Sequence, residues 1–328
     1  MLGQMKRLAP VALVIAVACG RPGDAPAPAS ASGSVHASAS ISASPPAPSS
    51  APSLAVGRGV PCGAMGCTQY ETIEQAFEAI LAEKPRVLAV GEAHAQKGKE
   101  GIPSSAKRFT ESVLPLLGGR ASDLVVELLM PNPKCEKRTE EVREKQAPAT
   151  TKQAATNQNE YVAMGEAARR LQIVPDLLRP SCEDLEAIAK AGPDAIAASL
   201  ETIARLTRVQ VEKLLDRNAR TPGDEDKLVV TYGGALHNDL APPPERAAWS
   251  FGPALSAKVA DRYVEVDLFV PEYVEDTEIW KKFEWYAHYD KQKLGGKVTV
   301  FSPRPRGYVV LFALGAKGRH GASPRPAP

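Results

Sequence analysis

The sequence predicts an α/β fold: a mostly parallel central sheet flanked by helices, with an antiparallel hairpin at one edge. Three observations carry that expectation. Continuous apolar runs, "RVLAV", "DLVVELL", "KLVVTYG" and "YVEVDLFV", suit strands covered on both faces. Stretches with helical apolar spacing separate them. The last two runs, "KVTVFS" and "GYVVLFA", are parted only by "PRPR" and read as a hairpin.

The chain has 328 residues and a formal net charge of +2. It opens "MLGQMKRLAPVALVIAVACG", with Lys6 and Arg7 ahead of an apolar run and small residues before Cys19. This is the pattern of a secretory signal over 1–18, with a run too short for a permanent membrane span. "AVAC" resembles the lipobox of bacterial lipoproteins, with Ala16 where Leu is commoner, and marks Cys19 for lipidation. The expected location is a bacterial cell-envelope membrane, with the body facing periplasm or exterior and the lipid bilayer as partner. Residues 19–58 are rich in Ala, Ser and Pro and read as a disordered linker. Residues 316–328 read as a disordered tail, which leaves 59–315 for the folded domain.

With Cys19 given to lipid, four of the five cysteines remain: Cys62, Cys67, Cys135 and Cys182. An even number in an exported chain favours disulfides over a zinc site, since only "CGAMGC" has close spacing. Thr72 and Gln75 form a capping pattern ahead of a helix that carries Ile73, Ala76, Phe77, Ile80 and Leu81 on one face. Strand 86–90 follows, then a helix over 104–117 stopped by Gly118-Gly119, then strand 123–129. The polar segment 130–159 is expected to be an insertion or lid, and Cys135 with Cys182 to staple it if the second and third strands are neighbours. Helix 160–171, strand 172–176, helices 182–191 and 193–217, and strands 227–233 and 263–270 complete the order. "WKKFEWYAHYD" suggests an amphipathic helix whose aromatics and His288 form a core or docking face.

Ligands of parallel sheets bind beyond the carboxyl ends of the strands. Two such ends carry a histidine after glycine: "GEAH", with Glu92 and His94, and "GGALH", with His237. Glu127 closes the strand between them. Glycine permits a sharp turn and close backbone approach there. Two imidazoles with carboxylates suit general-base chemistry, with a glutamate fixing a tautomer, or a metal held by His94, His237 and Glu127. The plainer alternative is a pair of histidines capping helix starts, with Glu127 paired to an arginine. Tyr232, just before the glycines, is a candidate haem ligand or a packed strand residue.

"VLAVGEAH", "LVVELL" and "VVTYGGALHN", in that order, resemble the superfamily of ChaN-like haem-binding lipoproteins, Tiki proteases, TraB proteins and erythromycin esterases. The resemblance spans 86–238. It implies histidines clustered at one rim of an α/β sheet, with Glu92, His94, Glu127 and His237 as site residues. It leaves three activities open: hydrolysis by a histidine-activated or metal-bound water, binding of haem or a divalent metal without catalysis, and an envelope interaction module. The expected ligand is a small molecule or peptide. The balanced charge excludes no enzyme class but gives no support to nucleic-acid binding. Neither GxSxG, HExxH, a phosphate loop nor a dinucleotide fingerprint is present.

Overall fold

The structure, a computed structural model, describes residues 16–17, 59–274 and 278–315. Cys19, the linker and the tail lie outside them.

In chain order the elements are β1 (Ala16–Val17), β2 (Val60–Pro61), β3 (Thr68–Tyr70), α1 (Ile73–Leu81), β4 (Val87–Glu92), α2 (Ser105–Arg108), β5 (Ala121–Leu129), α3 (Glu136–Thr150) and α4 (Asn157–Arg170). Then come β6 (Val174–Leu178), α5 (Cys182–Lys190), α6 (Ala195–Asn218), β7 (Leu228–Gly234), α7 (Gly252–Val259), β8 (Tyr263–Phe269), β9 (Val298–Arg304) and β10 (Gly307–Leu311). They build one ten-stranded sheet in the order β1-β5-β7-β4-β8-β10-β9-β3-β2, with β6 also on β5. Strands β6, β5, β7, β4, β8 and β10 run parallel, while β9, β3 and β2 follow antiparallel. The α/β class is as the sequence predicts. Its antiparallel end is larger, because the loop closed by Cys62 and Cys67 adds β2 and β3 to the hairpin. Cleavage ahead of Cys19 would remove the β1 pairing, Ala16 to Leu128 and Val17 to Leu129.

Alternation along the strands divides two cores. Leu88 and Val90 of β4 enter one core with α1 and α4, and Val87 and Ala89 enter the other with α6 and α7. Helix α1 buries the five apolar residues its spacing selects, and the Thr72 hydroxyl accepts from the Gln75 amide. The helical stretch from Ser105 to Leu117 passes from α through π to 3-10 geometry. Two expectations need correction. Strand β4 runs on through Gly91 and Glu92 rather than ending before the glycine. The stretch around "WKKFEWYAHYD" forms short 3-10 turns, with Trp280 and Trp285 buried and His288 exposed.

The polar segment after β5 is helical. Helix α3 packs against α5 and α6 through Val142, Leu185, Ile188 and Ala195, and Gln146 donates to the Ser199 hydroxyl at 3.2 Å. Because β5 and β6 are neighbours, Cys135 and Cys182 meet and are paired, with Cα atoms 5.7 Å apart. Past α3 the chain clips onto the residues after His94: Ala154 N donates to Ala95 O, and Lys97 N to Lys152 O. Among the described residues no helix is long and apolar enough to cross a membrane.

Candidate functional site

Strands β5, β7 and β4 lie side by side, with Val126 opposite Tyr232, Gly91 opposite Gly233 and Glu92 opposite Gly234. Parallel pairing therefore brings Glu127, His237 and His94 to one rim, at the carboxyl ends of adjacent strands. The glycines serve close approach rather than a left-handed backbone, since none of Gly91, Gly233 and Gly234 has positive φ. A Cβ on Gly91 would stand 2.6 Å from Ala235 Cα and 2.7 Å from Asp267 Oδ1. One on Gly233 would overlap the Glu127 carboxylate.

Glu92 is the hub of the first half-site. Its Oε1 lies 2.7 Å from His94 Nδ1 and accepts from the Tyr161 hydroxyl at 2.9 Å, while Oε2 accepts from the Tyr232 hydroxyl at 2.6 Å. Acceptance on all sides puts the imidazole proton on Nδ1 and leaves the His94 Nε2 lone pair free. That nitrogen is buried without a partner. Burial first, and the Glu92 charge second, push the Tyr161 hydroxyl well above its ordinary pKa, so it stays a donor.

The second half-site has the same logic. His237 Nδ1 stands 2.7 Å from the Trp249 carbonyl oxygen, which can only accept, so this nitrogen carries a proton. Nε2 faces Glu127 Oε1 at 3.5 Å, within ion-pair reach but long for a hydrogen bond. Glu127 Oε2 accepts from Gly234 N at 2.6 Å. Burial pulls the His237 pKa down, but the charge of Glu127 and the Trp249 carbonyl outweigh it, and the pKa ends above the ordinary value. His94 thus offers a lone pair at Nε2, while the raised pKa of His237 favours a proton on its Nε2.

The two halves converge on Gly234. The position its Cβ would occupy is 3.2 Å from His94 Nε2, 3.7 Å from Glu127 Oε2 and 3.8 Å from His237 Cδ2. A narrow cavity walled by Glu127, Thr207, Gly234, His237 and Asn238 has room for about one water molecule. Haem does not fit this space. Tyr232, a candidate haem ligand or packed strand residue, is buried with its hydroxyl donated to Glu92. The donor types suit a divalent ion held by His94, His237 and Glu127, whose Nε2, Nε2 and Oε1 atoms are all buried without hydrogen-bond partners. Among the described residues, however, no three His, Cys, Asp or Glu side chains stand gathered for a cation.

All four residues singled out in the sequence, Glu92, His94, Glu127 and His237, meet here. Four participants were not singled out: Tyr161 from α4, and Glu265, Asp267 and Arg304 behind the turn after His237. Glu265 and Asp267 did leave a signal, two carboxylates at period two on one face of an otherwise apolar strand. No family model, curated protein or solved structure matches this chain.

Proposed function

We propose that the chain is a hydrolase of acyl substrates, esters or peptides, held at a bacterial envelope membrane by lipid on Cys19. The observation that carries this reading is the complementary pair of imidazoles: each has Nδ1 fixed by an acceptor and Nε2 buried without a hydrogen-bond partner, and both rings border the space above Gly234. Water bound there gives a proton to His94 Nε2 as its oxygen attacks the acyl carbon, and Glu92 stabilises the imidazolium that forms. Collapse of the tetrahedral intermediate breaks the bond to the leaving group, which takes the proton from His237 Nε2. Transfer of the proton from His94 back to His237 through solvent closes the cycle. The order of motifs, resembling the Tiki and esterase superfamily, supports the same class.

A second reading is favoured by the three unpartnered donor atoms. A divalent ion held by His94, His237 and Glu127 would polarise that water when bound.

The test uses His94→Asn and His237→Asn, since asparagine keeps a donor near the place of Nδ1 and deletes Nε2. Turnover of a panel of carboxylic esters and peptides should fall at least on the order of a hundredfold in each variant, with circular dichroism unchanged. A wild-type chain that turns over none of them, with or without added divalent ions, refutes the proposal. So do variants as active as wild type.

A further inference from the structure

Behind the His237 turn lies a cluster that the chemistry above does not use. Each of the three residues after His237 is tied to it. Asn238 Nδ2 donates to Asp267 Oδ1 at 2.9 Å and to Ala89 O at 3.2 Å, and Asn238 O accepts from the Tyr263 hydroxyl at 2.7 Å. Asp239 Oδ1 accepts from Arg304 Nη1 at 2.7 Å, and Glu265 Oε2 from Leu240 N at 2.7 Å. Arg304 also reaches Glu265 at 3.5 Å, and its Cγ stands 2.6 Å from where a Cβ on Gly307 would be. The turn that sets the height and tilt of His237 is therefore held from β8 and β9.

Three carboxylates, Asp239, Glu265 and Asp267, lie together with one half-buried guanidinium, Arg304, which pairs with Asp239 and Glu265. Their exposures are 8%, 6% and 4%. The flanking strands bring no compensating charge. Across the register Glu265 is flanked by Ala89 and Gly307, and Asp267 by Gly91 and Val309. From α7 the buried residues are Gly252 and Leu255. Asn238 Oδ1 is buried without a donor, so the cluster holds more acceptors than donors. Protons on the carboxyls relieve both shortages.

We infer that Glu265 and Asp267 are positioning residues for His237: carrying protons they hold the turn 238–240 against β8, and on ionising they release it. Burial first, then Asp239, pushes Glu265 up to about 7, and burial with Glu265 raises Asp267 well above its ordinary value. The release falls where pH rises past neutrality. Its catalytic meaning rests on the hydrolase reading; the positioning itself does not.

The experiment follows the Nδ1–H of His237 by NMR in the full chain labelled with ¹⁵N-histidine. That proton, held by Trp249 O, survives the titration of His237 itself, because Nε2 is the nitrogen that deprotonates. Its exchange with water is slow while the turn keeps it on Trp249 O, so a loss whose pH moves with the carboxyl substitutions reports the turn. In wild type the signal should be present at about pH 6 and vanish as pH rises beyond about 7. In Asp267→Asn and Glu265→Gln, which keep the acceptor oxygens without the charge, it should persist to higher pH. In Asp267→Ala it should be absent throughout. A wild-type signal that survives to strongly alkaline pH overturns the inference, as does loss at the same pH in both conservative variants. Should both fail to fold, the wild-type profile alone decides. If the chain turns over an ester or peptide, Asp267→Ala should lower kcat on the order of a hundredfold with KM little changed, and Asp267→Asn should extend activity to higher pH. An inactive chain with the expected signal refutes only the hydrolase reading. An active one with a pH-independent signal refutes only the positioning.

Discussion

Adjacent glycines on β7 carry different burdens. Both accept any residue's backbone angles, so what distinguishes them is the space above each. At Gly233 the space is filled by Glu127, whose Cβ would lie 2.8 Å from an added methyl. Gly233→Ala should therefore displace the carboxylate and cost about 1–3 kcal/mol in urea unfolding. At Gly234 the space is the proposed reaction site, bounded by His94, Glu127 and His237, with no contact shorter than 3.2 Å. Gly234→Ala should fold with stability within about 1 kcal/mol of wild type, yet lose turnover, because its methyl occupies the place of the reacting atom. Equal loss of stability in the two variants would refute this division of roles. The motif "GGALH" announced both glycines alike; only the packing separates them. Tyr161 shows the opposite limit. It reads as one aromatic in a polar helix, and nothing in the chain links it to Glu92 until α4 is laid on the sheet.

Elements with a strong apolar period were legible, and their ends were less so. Strands β4, β5, β7 and β8 and helix α1 follow directly from their runs of buried residues. Strands β2 and β3 left no period to read, being two and three residues long and dependent on a disulfide loop. Helix α3 was harder still: its buried residues are Thr139, Val142, Gln146 and Ala149, too polar a set to mark an inner face. Such a helix holds its place through its neighbours, and the Cys135–Cys182 link to α5 is the strongest of them. The links span sequence separations of 47 and 5. Chain-entropy estimates give roughly 4 kcal/mol for the longer loop and roughly 2 kcal/mol for the shorter. Cys135→Ser should thus lower the unfolding free energy more than Cys62→Ser does. It should also speed amide exchange at Ala154 and Lys97, whose N–H groups clip α3's end to the His94 loop. Unchanged exchange there would mean that the clip holds without the staple.

At the scale of the molecule, the site places its buried ionisable groups where they oppose stability in one direction of pH. Glu265 and Asp267 are raised above their unfolded values by burial, and His237 is raised by Glu127 and Trp249 against the pull of burial. A group whose folded pKa is raised contributes stability that is complete below its unfolded pKa and lost as pH climbs through the folded one. For Glu265 that window runs from 4.5 to about 7. A shift of this size is worth on the order of 3 kcal/mol. Asp267 and His237 add losses of the same sign, His237 above 6.5. Carboxylates with lowered pKa, such as Asp216 and Asp226, have the opposite sign but lie fully exposed, where solvent screens them. The unfolding free energy from urea titrations should therefore fall as pH rises from about 5 to about 8, and Glu265→Gln should flatten the lower part of that slope. Glu127→Gln isolates the remaining part. Its amide can still accept from Gly234 N and can donate to His237 Nε2, so the fold is kept while the charge that raises His237 is gone. The His237 titration should then move to lower pH, and the slope above 6.5 should shrink. A pH profile that is flat in wild type, or unaltered by both substitutions, would show that these buried carboxyls do not couple the site to the stability of the sheet.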